Sequence, residues 1–320
     1  MKSEVLKIND MDNVAVALKP LKKGLSCRVE DFNITVLSDI QAGHKIALKN
    51  IKKGENIIKY AFPIGQAICD IPAGSHIHCH NMRTNLEGLL DYKYKKPDKL
   101  TFQKKHTTFM GYKRENGRVG IRNEIWIINT VGCVNRVAER LAQEANKHCR
   151  GRIDGVYTFV HPYGCSQLGD DLNTTRKILA GLVNHPNAAG VLVLGLGCEN
   201  NNIASFKQYL MDTENALYNN KRIRFLSLQE TDNDIEAGLS LISELVEYAE
   251  DFVREPCPVS SLTVGLKCGG SDAFSGITAN PLVGALSDII IQHGGSAILT
   301  EVPEMFGAET MSVKKYLIRW

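Results

Sequence analysis

Residues 189–200 read Ala189-Gly-Val-Leu-Val-Leu-Gly-Leu-Gly-Cys-Glu-Asn200. Six apolar or small residues in a row, closed by a glycine-rich turn, form a strand that needs cover on both faces. That is the signature of a parallel sheet rather than of a half-solvated antiparallel one. Working outward, the same pattern repeats at Glu124–Thr130, Gly155–Val160, Ile223–Leu228, Ser261–Leu266 and Ser296–Thr300. Amphipathic stretches at Val134–Lys147, Asp171–Asn184, Ile203–Asp212, Asp232–Asp251 and Pro281–Gln292 separate the runs. In the fourth stretch Ile235, Leu239, Ile242, Leu245, Val246 and Ala249 recur at helical spacing. Strands joined by helical crossovers predict an α/β body with a parallel sheet and helices on both faces. Pro256-Cys-Pro258 reads as a boundary between two such units.

The first 95 residues differ. Leu21-Lys-Lys-Gly24, Ile40-Gln-Ala-Gly43, Ile51-Lys-Lys-Gly54 and Ile71-Pro-Ala-Gly74 share an apolar-x-x-Gly pattern beside alternating apolar residues. Glycine suits tight turns and period-two alternation suits half-buried strands, so a small barrel-like or clip-like sheet is expected. Residues 82–108 hold few apolar side chains and carry the linker, placed at 96–109. The basic run Tyr92–Lys99 reads as a solvated tether. The expected domains are therefore 1–95, a linker at 96–109, an α/β domain at 110–256 and a further α/β region at 257–320.

The chain has 320 residues, 43% hydrophobic and 23% charged, which suits a soluble globular protein of about two domains. With 38 basic against 35 acidic residues, evenly spread, nothing argues for nucleic acid or a membrane surface. No apolar run spans a bilayer, and Met1–Leu6 lacks a signal-peptide core, so a cytoplasmic location is expected. The nine cysteines, at 27, 69, 79, 133, 149, 165, 198, 257 and 268, fit a reducing compartment and include no Cys-x-x-Cys pair.

In open parallel sheets ligands bind beyond the carboxyl ends of the strands. Four of the six segments that follow the strands contain a cysteine: Cys133, Cys165, Cys198 and Cys268. Each can be a small buried residue at a strand end. Thiolates can also hold zinc or an iron–sulfur cluster, or one can be a nucleophile paired with His161. Cys149 and Cys257 read as structural. In Gly74-Ser-His76-Ile-His78-Cys-His80-Asn81, three histidines at i, i+2 and i+4 are expected on one strand face, where imidazoles can meet a metal or a carboxylate. Gly195-x-Gly-x-x-Asn lacks the third glycine of the dinucleotide fingerprint, and no phosphate-binding P-loop occurs.

Several stretches then carry a resemblance. They include Asp12-Asn-Val-Ala-Val-Ala17, His78-Cys-His80-Asn81, Gly117-Arg-Val-Gly-Ile-Arg-Asn123-Glu-Ile-Trp126, Thr130-Val-Gly-Cys-Val-Asn135, Gly164-Cys-Ser-Gln-Leu-Gly-Asp-Asp171, His185-Pro-Asn-Ala188, Gly195–Asn200, Cys268-Gly-Gly-Ser-Asp272, Ser275–Pro281 and Thr300–Glu309. In these the chain resembles the altronate/galactarate dehydratase family, and its Asn123–Trp126 context is closer to the altronate branch. The resemblance implies an N-terminal β-clip domain of the SAF type before the α/β body. It implies a lyase that removes water from D-altronate to give 2-dehydro-3-deoxy-D-gluconate in hexuronate catabolism, with galactarate or a related sugar acid as the alternative. It also implies dependence on Fe2+, with Mn2+ as a substitute and an iron–sulfur cluster left open. Family members continue beyond Glu309, whereas Met311–Trp320 does not match, so the last α/β unit is expected to be incomplete.

Dehydration of a 2,3-dihydroxy acid needs a base for the proton beside the carboxylate, a stabiliser for the enediolate and an acid or metal for the leaving hydroxyl. His161 is the candidate base, and Glu301 and Glu304 are candidates for acid or metal ligand. Arg122, Asn123, Ser271 and Asp272 are candidates for holding substrate, since a guanidinium fork suits a carboxylate. His78, His80, Cys165, Cys198 and Cys268 are the candidate metal ligands. The expected partner is a small-molecule sugar acid, with a homo-oligomer left open. A fragment without activity and an NAD-linked oxidoreductase are the other classes the residues leave open.

Overall fold

The computed structural model describes residues 3–85, 107–149, 151–213, 221–267, 270 and 272–301. The chain divides into two units. One holds the N-terminal strands together with Thr263–Gln292 and the strand that begins at Ser296; the other holds Lys105–Leu262 with His293–Gly295.

In the first unit, β1 (Val5–Leu6), β2 (Val14–Ala17), β5 (Lys45–Ala47) and β8 (His76–Ile77) form an antiparallel sheet in that order. The hairpin β3 (Ser26–Val29)–β4 (Phe32–Thr35) packs in one core with β1 and β2, and β6 (Asn56–Lys59), β7 (Phe62–Ala67) and β9 (Met82–Arg83) form a further antiparallel sheet. The four apolar-x-x-Gly segments are two copies of one device. Leu21 bridges Ile40, and Ile51 bridges Ile71, all four buried. The closing glycines 24, 43, 54 and 74 all lie at φ between 82 and 87°, a conformation side chains with a Cβ resist. Asp39 accepts from Lys22 Nζ at 2.7 Å and from the Lys23 amide at 2.9 Å, and Asp70 repeats both bonds with Lys52 and Lys53 at 2.9 Å each. The same unit contains one parallel β-α-β element, β17 (Thr263–Leu266), α5 (Ala279–Gln292) and β18 (Ser296–Leu299).

In the second unit a parallel sheet runs β13 (Gly155–Thr158), β12 (Glu124–Asn129), β14 (Ala188–Gly195), β15 (Ile223–Ser227). The helices are α1 (Asn135–His148), α2 (Gly169–Val183), α3 (Ile203–Thr213) and α4 (Asp234–Glu250). Alternation along the strands sorts the core. Ile125, Ile127 and Leu192 pack with Leu141 of α1 and Leu245 of α4. Trp126, Ile128, Val191 and Val193 pack with Leu179 of α2 and Phe206 of α3. Every residue of β14 is buried, as its unbroken apolar run requires.

Pro256-Cys-Pro258 lies in β16 (Glu255–Pro258), a few residues before the change of unit at Thr263; β16 pairs antiparallel with β10 (Thr108–Lys113), itself paired with β11 (Val119–Gly120). Prolines are accepted there because β16 is an edge strand. One expectation, that of three histidines on a single strand, is corrected. β8 contains only His76 and Ile77, and His78–His80 form the following turn. Asn81 ends the strand, its Oδ1 accepting from the His78 amide and its Nδ2 donating to the His76 carbonyl. Among the described residues no helix is long and apolar enough to cross a membrane.

Leu192 is buried between two strands and two helices. Replacing it with alanine is expected to lower the unfolding free energy by about 2–5 kcal/mol, read from denaturant unfolding of the chain.

Candidate active site

The carboxyl end of the parallel sheet is organised by a buried carboxylate. Glu199 accepts from Thr130 Oγ1 at 2.6 Å, from the Leu196 amide at 3.1 Å and from the Gly197 amide at 2.7 Å. Burial pushes its pKa up, but the Thr130 hydroxyl and the loop amides outweigh this and leave it below the usual carboxylate value. The segment Gly195–Glu199 therefore curls around its own side chain. Gly197 sits at φ 127°, and a Cβ there would meet Gln229 Oε1 at 2.7 Å.

His161 is pinned at both ring nitrogens. Nε2–H donates to the Asn129 carbonyl at 3.0 Å, and Nδ1 accepts from the Tyr163 amide at 3.3 Å. Asn135 Nδ2 donates to the His161 carbonyl, and Asn129 Nδ2 donates to Asn135 Oδ1. This ring of bonds joins the end of β12, the start of α1 and the segment after β13. The close approach needs Gly132, because a Cβ there would lie 2.8 Å from the His161 carbonyl oxygen.

The segments carrying Cys165 and Cys198 are tied together. The Asn200 amide donates to the Cys165 carbonyl at 2.9 Å, and Asn200 Nδ2 donates to the Gln167 carbonyl at 3.0 Å. Arg176 of α2 holds the next turn through Asn201 Oδ1, the Asn200 carbonyl and Ser205 Oγ. Cys133, Cys165 and Cys198 are all exposed, while Cys149 and Cys257 are buried. Asn129 Oδ1, Thr158 Oγ1 and Asn201 Nδ2 are buried without a hydrogen-bond partner. Three such atoms at the carboxyl edge of one sheet mark a place where a polar partner is expected.

In the first unit four imidazoles gather. The ring of His44 stacks on His76 and His78 at centroid distances of 5.0 and 5.1 Å, and His80 lies 5.3 Å from His76. His44 Nδ1 and His76 Nε2 share one hydrogen at 2.8 Å. Burial, then the neighbouring imidazole of His44, lowers His76 to about 4, and burial lowers His44. Neutral imidazoles are ligands for divalent first-row metals. Yet two of these nitrogens face each other, and among the described residues no three His, Cys, Asp or Glu converge as a metal-holding set. His44 escaped the sequence reading. Its one signal was its place directly after the glycine of the second apolar-x-x-Gly segment.

Other expected residues lie elsewhere. Arg122 and Asn123 precede β12 and so sit at the amino end of the sheet, the opposite end from the cysteine-bearing segments. Arg122 pairs with Glu124 at 2.9 Å. Asn123 is buried, accepting from Arg114 at 2.9 Å and donating to the Ala249 carbonyl at 2.9 Å. Asp272 caps a turn by accepting from the Phe274 amide, and Glu301 lies 3.8 Å from Lys267 at the ends of β18 and β17. Cys268, Ser271 and Glu304 lie outside the described residues.

Replacing Glu199 with glutamine keeps its shape but sets an amide donor against donors. The chain is expected to lose about 1–3 kcal/mol of stability in denaturant unfolding, and the segment 195–201 to exchange its amide hydrogens faster.

Sequence models of three domains match in order: the altronate/galactarate dehydratase SAF domain over residues 3–85, the D-galactarate dehydratase/altronate hydrolase second domain over 111–250, and the D-galactarate/altronate dehydratase C-terminal domain over 259–317. Altronate dehydratase of Bacillus subtilis (strain 168) is 49% identical over 313 residues, 97% of this chain and 62% of that protein. Altronate dehydratase of Escherichia coli (strain K12) is 48% identical over 312 residues, 96% of this chain and again 62% of the relative. The chain therefore spans about three fifths of the length of these two relatives. (2R)-sulfolactate sulfo-lyase of Chromohalobacter salexigens matches through two separate subunits. Its beta subunit is 34% identical over 205 residues (64% of this chain, 49% of the subunit), and its alpha subunit is 40% identical over 45 residues (14% and 48%). With the family's domains matched in sequence along one polypeptide, the chain belongs to the altronate/galactarate dehydratase family.

Proposed function

We propose that this chain carries the chemistry of a hydro-lyase that dehydrates D-altronate to 2-dehydro-3-deoxy-D-gluconate, within cytoplasmic hexuronate catabolism. The observation that carries the reading is the identity of 49% and 48%, over nearly the whole chain, to two proteins named altronate dehydratase. The sulfo-lyase relative is also a lyase acting on a 2-hydroxy acid, which fits a framework built for elimination.

In this reading His161 takes the proton beside the carboxylate at Nδ1. The long 3.3 Å bond from Tyr163 is the one exchanged, and the Nε2–H bond to the Asn129 carbonyl fixes the tautomer and ring orientation. Glu199 holds the Gly195–Cys198 segment in place, so its effect on catalysis is through positioning. Asn129 Oδ1 and Asn201 Nδ2, an acceptor and a donor without protein partners, suit hydroxyls of a polyhydroxylated acid. Arg122, tied to Glu124 at the far end of the sheet, is not given the substrate carboxylate. His78 and His80 are the residues we assign to ferrous iron, on the affinity of imidazole nitrogen for divalent first-row metals; when bound, such a metal would supply Lewis acidity towards a carboxylate or hydroxyl oxygen.

The test is an assay of the chain with ferrous iron and reductant, following 2-oxo acid formation from D-altronate and from galactarate. Altronate is expected to react faster. His161→Gln is expected to lower kcat by about a hundredfold or more, with a smaller change in KM. His78→Ala is expected to lower iron content as well as turnover. No conversion of either acid, by this chain alone and by this chain joined to the remaining segment of the Bacillus relative, would overturn the reading.

A further inference from the structure

We propose that the first unit holds a site for a small organic carboxylate, formed by Lys45, Lys59 and Tyr60 beside the turn that follows β17. The proposal concerns binding by this unit and does not rest on the altronate reading.

The turn from β6 to β7 is the first observation. Lys59 pairs with Phe62, so Tyr60 and Ala61 are the two central residues of a tight hairpin. Both lie at positive φ, 60 and 65°. Such turns favour asparagine and glycine, because other side chains resist that conformation. Neither is present here, and the turn is held from outside by Asp12, whose Oδ1 accepts from the Ala61 amide at 2.8 Å. Strain that the surroundings enforce in this way is a pointer to function.

The side chain so placed is Tyr60. Its hydroxyl lies against Gly276, so closely that there is no room for a Cβ at that position. Gly276 belongs to the short turn Ser275–Ile277 between β17 and α5, in the same unit. A Cβ at Gly43 would likewise collide with Ala273 of the same connection. Parallel β-α elements take their ligands at the carboxyl ends of their strands, and Tyr60 brings a hydroxyl to that end of β17. Among the described residues this hydroxyl has no hydrogen-bond partner.

Two lysines supply charge. Lys59 sets its ammonium 4.7 Å from the centre of the Tyr60 ring. Lys45 of β5 stands between Val16 of β2 and Ile77 of β8, both buried. Lys22 and Lys52 of this unit hold Asp39 and Asp70, but among the described residues Lys45 and Lys59 hold no carboxylate. Burial, then the charge of Lys59, brings the Lys45 ammonium below its ordinary value, the response of cations set together without an anion.

The ligand class follows from these groups. Two ammoniums call for an anion, and the phenol O–H adds a donor to it. Lys45, Lys59 and Tyr60 are all half-buried. In such a place a monoanion loses less hydration than the dianion of a phosphate. A carboxylate on a small acid meets both conditions.

The test uses the full chain, with D-gluconate and D-altronate as probes and sorbitol and inorganic phosphate as controls. Lysines are acylated with a water-soluble active ester, and the rate at each is read by peptide mass spectrometry. Either acid, at about ten times its Kd, is expected to slow acylation of Lys45 and Lys59 about tenfold, as occupancy requires. Sorbitol is expected to leave both rates unchanged, and the rates at Lys22 and Lys52 are expected to stay constant throughout. In calorimetry Lys45→Met, which keeps the stem between Val16 and Ile77, is expected to weaken binding of the acids about tenfold or more, and Tyr60→Phe about threefold or more. Unchanged acylation of Lys45 in the presence of both acids would overturn the proposal. So would unchanged affinity in both variants, or protection of Lys45 by phosphate at lower concentration than by either acid.

Discussion

Eight consecutive residues of β14, Ala188–Gly195, have no exposed member, and that double burial is the constraint on which the second unit is built. A strand without a polar side needs a layer above and a layer below, so α1 and α4 cover one face and α2 and α3 the other. The crossovers that place those helices are long, which makes the sheet parallel and gathers all the strand-to-helix segments at its carboxyl end. The chemistry-bearing residues of this unit, His161, Cys165, Cys198 and Glu199, lie there for that reason and not because they are near one another in sequence.

The two ends of the sheet solve opposite electrostatic problems. At the carboxyl end, the charge of the buried Glu199 is met by a hydroxyl and two backbone amides. At the amino end, cations are met by carbonyls. Arg114 donates to the Pro186 carbonyl, Arg118 to that of Asn184, and Arg222 to those of His185 and Ala188. Burial lowers both Arg114 and Arg222 to about 10. The turn between α2 and β14 is thus clasped by three guanidiniums, and the Gly117–Asn123 stretch belongs to that clasp. Arg122 of that stretch, the candidate for the substrate carboxylate, pairs with the carboxylate of Glu124.

The first unit uses a different principle, repetition. Two copies of a turn, each locked by a positive-φ glycine and by an aspartate holding a lysine and the next amide, fold strands of two to six residues into sheets that none could form alone. His44 directly follows the closing Gly43 of the first copy, and His76 lies two residues after the closing Gly74 of the second. The pairing of β5 with β8 brings these two against one another. The imidazole cluster is thus a product of strand pairing and not of the His-x-His-x-His spacing alone.

Apolar periodicity in the sequence determined the parallel α/β body, its strands and helices to within a few residues, because burial on one or two faces leaves a mark every two or 3.6 positions. It also determined the four glycine turns, and its motifs pointed to the family. The small sheet of β10 and β16 left no mark: β16 is an edge strand, where prolines are tolerated, and its partner β10 is joined to it across more than 140 residues of sequence. Only the tertiary structure decided which end of the sheet Arg122 and Asn123 occupy, that His44 joins His76, His78 and His80, and that Glu199 holds its segment by hydrogen bonds to its own backbone. Each of these is a contact between residues brought together by strand pairing or chain reversal, and the identity of a residue does not say which way the backbone will turn to meet it.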